Sequence, residues 1–93
     1  MATTLTAGTP YKTANKLSTS KVLVQINVGD TQPIYIFGSV DGTNYVELET
    51  ISASTIREVS ACPYISVSAT TNDHDSTTSF GTTTAAIHEL SGY

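Results

Sequence analysis

Apolar and polar residues alternate along most of this chain, the pattern of strands with one buried face. In Lys21-Val22-Leu23-Val24-Gln25-Ile26-Asn27-Val28 the alternation sets Val22, Val24, Ile26 and Val28 on one side. Two more alternating runs, Ile34 to Val40 and Tyr45 to Ile51, flank the stretch Gly38-Ser39-Val40-Asp41-Gly42-Thr43-Asn44-Tyr45. An Asp-Gly pair tolerates the positive φ angles of a tight turn, so Asp41, Gly42, Thr43 and Asn44 predict a hairpin. With a loop of two or four residues, Tyr35 and Phe37 share the buried face with Val46 and Leu48. Glu47 and Glu49 then lie on the other face.

The rest of the chain reads in the same way. Gly29 to Pro33 is a turn, Ser52-Ala53-Ser54 a break, and Thr55 to Ser60 a short strand. Pro63 removes a ladder donor and belongs at an edge or a strand start. Tyr64 to Ala69 alternates again, burying Ile65, Val67 and Ala69 or else their neighbours. Thr71 to Ser79 is a polar loop. Over residues 82–91 the threonines favour a strand, whereas Ala85 to Leu90 followed by Gly92 would suit a short helix with a glycine cap. The strand is the reading adopted. Five or six short strands at about ten-residue spacing predict an all-β, antiparallel sandwich or small barrel.

Residues 1–20 have no periodicity and are rich in Thr, Ser, Gly and Pro. They read as an extended N-terminal arm over 1–19, attached to a single β-sandwich domain over 20–93. Such an arm is ordered only where its own sheet or a neighbouring chain holds it. Its Leu5 and Tyr11, with Tyr45 in the hairpin and Tyr93 at the far end, are candidate partner contacts. Removing residues 1–16 is then expected to abolish binding and leave the fold intact.

A chain of 93 residues makes one small domain with a thin core. Cys62 is the only cysteine, so no disulfide within the chain can help. Serine and threonine supply 28 residues and charged side chains only 13%. A hydroxyl-rich surface poor in lysine suits packing among protein copies. The net charge of −4, with only Lys12, Lys16, Lys21 and Arg57 basic, argues against a nucleic-acid binder, which needs a cationic stripe. No apolar run approaches the roughly 18 residues of a membrane helix. No basic segment followed by an apolar one marks a secretory signal, and the expected compartment is the cytoplasm.

Groups that could carry chemistry are few. Asp73-His74-Asp75 could hold a divalent cation, though a solvated turn is the plainer reading. His88 has only Glu89 beside it, and adjacent strand residues point to opposite faces. Cys62 has no neighbouring base to activate it. No glycine-rich phosphate loop, metal motif or nucleophile elbow occurs. No enzymatic activity and no cofactor are expected.

The span Gln25 to Ala69 resembles small β-sandwich structural proteins of tailed-bacteriophage virions, of the decoration or head-fibre type. Gly38-Ser39-Val40-Asp41-Gly42-Thr43-Asn44-Tyr45 and Pro63-Tyr64-Ile65-Ser66-Val67 carry the likeness. Tyr45 stands where the phage-type aromatic is commonly tryptophan. The hairpin also resembles the turn of discoidin-type carbohydrate-binding sandwiches, whose full modules are longer. The first resemblance implies an immunoglobulin-like or jelly-roll-like sandwich. It also implies a virion protein assembled in the host cytoplasm, bound to the major capsid protein or other virion proteins as a homo-oligomer. The alternative is a carbohydrate- or receptor-binding module of a fibre or tail, or a neck component. In it, loops around Asp41 to Tyr45 and Asn72 to Asp75 would meet sugar hydroxyls.

Overall fold

A computed structural model describes residues 3–13, 21–60 and 62–89. Alternation becomes eight strands: β1 (Thr3–Leu5), β2 (Tyr11–Lys12), β3 (Lys21–Asn27), β4 (Ile34–Ser39), β5 (Val46–Ile51), β6 (Thr55–Ser60), β7 (Tyr64–Ser68) and β8 (Thr84–Glu89). They form two antiparallel sheets, β1-β8-β3-β6 and β2-β7-β4-β5. The fold is an all-β sandwich, and the described residues contain no helix.

The inward faces meet as their periodicity requires. Val22, Val24 and Ile26 of β3 and Ala85 and Ile87 of β8 lie against Ile34 and Ile36 of β4, Ile51 of β5, and Ile65 and Val67 of β7. Burying each of these valines and isoleucines contributes about 1.5–3 kcal/mol, which makes this layer the main stabilising element. Residues 84–89 form a strand because the whole segment pairs with β3 from Val22↔Glu89 to Asn27↔Thr84. Ala85 and Ile87 then enter the core with a period of two.

The hairpin has a different parity from the expected one. Ile36 pairs with Glu49 and Phe37 with Glu47, so Leu48 is the extra residue of a β-bulge. Ile34 and Ile36, rather than Tyr35 and Phe37, face the core cluster. Phe37 shares its face with Glu47, and Val46 is exposed. The reason is that β4 is covered on both sides, so burial of Phe37 does not identify the inter-sheet face. Its outer face is roofed by the polar 71–79 loop. Beneath that loop Ser66 and Ser68 of β7 are fully buried, and the Ser66 hydroxyl donates to the His74 carbonyl at 2.7 Å.

The arm expected over 1–19 is, in residues 3–13, part of the sandwich. β1 pairs with β8 at the edge of one sheet, and β2 pairs with β7 at the edge of the other. Leu5 is a core residue. The backbone supplies what the side-chain pattern lacks. Gly8 N–H donates to the Val67 carbonyl at 3.2 Å and Thr13 N–H to that of Pro63 at 2.9 Å, pairs that two or three strand residues alone would not signal. Removing residues 1–16 would therefore strip an edge strand from each sheet. The remainder of the expected arm, residues 1–2 and 14–19, lies outside the described residues.

Candidate functional site

The turn after β4 is built by one hydroxyl and one carboxylate. Ser39 Oγ accepts from the backbone N–H of Asp41 at 3.2 Å and of Gly42 at 2.9 Å, and donates to Asp41 Oδ1 at 3.0 Å. Asp41 Oδ1 accepts from the N–H groups of Thr43 and Asn44, each at 2.9 Å. Asn44 Nδ2 donates to Asp41 Oδ2 at 3.1 Å. The backbone N–H groups of Asn44 and Thr43, then the side chains of Asn44 and Ser39, hold the Asp41 carboxyl far below the usual carboxylate range. Gly42 has φ +77°, and a Cβ there would sit 3.1 Å from the Tyr64 ring. That position needs glycine on both counts.

The 71–79 loop comes down beside this turn. His74 stacks on Tyr45, with ring centroids 3.8 Å apart and planes 14° from parallel. The edge of Phe37 approaches the same imidazole at 6.4 Å and 66°. Thr71 Oγ1 donates to Glu47 Oε1 at 3.2 Å, which fastens the loop to β5. Burial, followed by the charges of Tyr64 and Asp41, raises the Tyr45 phenol above its ordinary value. The two loops singled out in the sequence, around 41–45 and 72–75, are thus brought together at one end of the outer face of the β2-β7-β4-β5 sheet. What they form is an aromatic and hydroxyl surface with structural carboxylates.

The remaining candidates are dispersed. Leu5 is buried and unavailable to a partner. Tyr11 is half-buried, and its hydroxyl donates to Glu89 Oε2 at 2.6 Å, linking β2 of one sheet to β8 of the other. That hydrogen bond, with burial, raises the Tyr11 phenol. Tyr93 lies outside the described residues. Asp73 and Asp75 interact with one another. The Asp75 carboxyl raises Asp73, and Asp75 is lowered through the same hydrogen bond. With the His74 ring turned onto Tyr45, no three His, Cys, Asp or Glu side chains among the described residues are placed to share a metal ion. His88 is exposed and pairs in register with Leu23, while Glu89 takes the opposite side. Cys62 is half-buried against the core.

Sequence reasoning missed three connections. The Tyr45–His74 stack and the Tyr11–Glu89 bond each join segments distant along the chain, with no local pattern to announce them. The third joins the 29–31 turn to residues 82–83. Thr82 N–H donates to Asp30 Oδ1 at 2.9 Å, Asp30 N–H to Thr82 Oγ1 at 2.9 Å, and Gly29 N–H to Thr83 Oγ1 at 2.8 Å. Among known proteins, no family model, no curated protein and no solved structure matches this chain.

Proposed function

We propose that this chain is a non-enzymatic structural protein of a tailed-phage virion, a decoration protein seated on the major capsid lattice. The observation that carries the reading is the meeting of the two stretches on which the resemblance rests. Ser39 of the hairpin stretch lies opposite Tyr64 of the Pro63-Tyr64-Ile65-Ser66-Val67 stretch, and Gly42 backs onto the Tyr64 ring. Two motifs that share one structural role would be joined in this way.

The chemistry of the surface supports the same reading. Asp41 is consumed by its own turn, and His74 by a ring contact. Exposed Val40, Val46 and Ile56 add apolar contacts to a surface rich in hydroxyls. Such contacts are weak singly and add up when repeated over a symmetric shell. With residues 3–13 built into the sandwich, the lattice is met by the sheets and loops.

One observation favours a second reading, a glycan-binding module of a fibre or tail. The loops around 41–45 and 72–75 converge, and they carry Tyr45. One face of that ring is already taken up by His74, which ranks this reading second. The experiment is quantitative mass spectrometry of purified virions. Copy numbers of the order of the major shell protein support decoration, and far fewer copies support a fibre, neck or tail position. Absence from the particles sinks the virion reading. Glycan binding lost on Tyr45→Ala with the fold preserved would then favour the second.

A further inference from the structure

The four sheet edges of the sandwich differ in how they are protected. β1 and β2 are three and two residues long, too short to template another strand. β5 carries the bulge at Leu48 between Glu47 and Glu49, which twists and charges that edge. β6 is different. Six residues long, it pairs with β3 without a register break from Lys21↔Ser60 to Ile26↔Thr55, and it contains no proline. Its other edge is unpaired within the described residues. Ile56 stands on this strand 58% exposed. It borders a shallow depression of about 110 Å³ lined also by Leu23, Gln25, Ala86 and His88.

Charge along β6 selects what can pair with it. In an antiparallel pair related by a two-fold axis normal to the sheet, facing residues must come from the same side of the strand. An axis at Arg57 sets Arg57 against its own copy and Ile56 against Glu58. An axis at Glu58 sets two carboxylates face to face. With the axis at Ile56, two exposed isoleucines meet, Thr55 faces Arg57, and Ser54 faces Glu58. No like charges oppose, and Glu58 keeps its 2.8 Å contact with Lys21. The two apolar depressions then flank the axis on one continuous face.

We infer that two copies of this chain associate through β6, antiparallel about a two-fold axis at Ile56, extending β1-β8-β3-β6 into an eight-stranded sheet. This interface is independent of any capsid partner. It is tested by sedimentation equilibrium of the full chain from micromolar to millimolar concentration. A reversible dimer is expected, lost in Ile56→Lys with an unchanged circular dichroism spectrum. Directly opposed residues bring their Cα atoms to about 4.5–5.5 Å, within disulfide range. Oxidised Ile56→Cys is therefore expected to form a covalent dimer. Glu58→Cys and the natural chain, whose Cys62 serves as control, are expected not to. A monomer at every concentration overturns the inference. So does a dimer that survives Ile56→Lys or cross-links through Glu58→Cys instead.

Discussion

The imidazole of His74 lies nearly parallel on the ring of Tyr45, with centroids 3.8 Å apart. The contact joins a loop that has little apolar anchorage of its own to the end of the hairpin. Stacked pairs contribute about 0.5–1.5 kcal/mol beyond their buried area. Urea unfolding of Tyr45→Ala, His74→Ala and the double variant should give a coupling energy of about that size. Strict additivity of the two single changes would show that the rings are merely adjacent.

Asp41 makes the turn sensitive to acid. Its carboxyl titrates well below the ordinary value of 3.8 in the folded chain and at that value once unfolded. The stability it supplies is complete above the ordinary value and is lost as pH falls through it toward the folded-state value. The urea midpoint should therefore decline from about pH 5 to about pH 2. Asp41→Asn should be less stable at neutral pH and show a shallower decline. Asp30, also held low by the Thr82 N–H, preserves part of the slope in both proteins. Parallel profiles would remove Asp41 from the account.

Gly38 is a point of close approach in the core. A Cβ there would lie 2.7 Å from Cys62 Sγ and 2.8 Å from Leu48 Cδ1. Overpacking of this kind costs about 1–3 kcal/mol, so Gly38→Ala should lower the unfolding free energy by that amount. Cys62→Ala removes the nearer obstacle, and the double variant should lose less than the sum of the single ones. A full additive loss would place the strain elsewhere.

Leu5 distinguishes a strand from an arm. It is 4% exposed and packs in the main cluster. Leu5→Ala should cost about 2–5 kcal/mol, as other buried leucines do. A mobile arm would give a change within about 0.5 kcal/mol. Chemical denaturation separates the two outcomes directly.

Legibility in the sequence followed the side-chain period. β3 was readable because Val22, Val24 and Ile26 alternate with polar residues, and the turn at Asp41-Gly42 because its chemistry is local. The face of β4 was not readable. Phe37 is buried under the 71–79 loop, and a strand covered on both sides loses the period that identifies its inner face. The bulge at Leu48 then reversed the expected partnership of Phe37 and Glu47. β1 and β2 escaped notice because Leu5 and Tyr11 are single apolar residues amid threonines, held through backbone bonds to β8 and β7. The Tyr45–His74 contact depends on how two loops fall across one sheet, which no local spacing encodes.

Thr3 pairs with Ile87, so β1, the first of these strands in chain order, finds its neighbour only when synthesis has passed β8. Until then β3 also lacks one of its two partners, and Val24 and Ile26 lack Ile87 and Ala85 beside them. Until β8 arrives the sandwich stays unclosed, with hydrophobic strands open to any other strand nearby. A ribosome stalled before β8 would release a fragment that no edge strand can cap. The time taken to make and dock β8 therefore sets how long that exposure lasts.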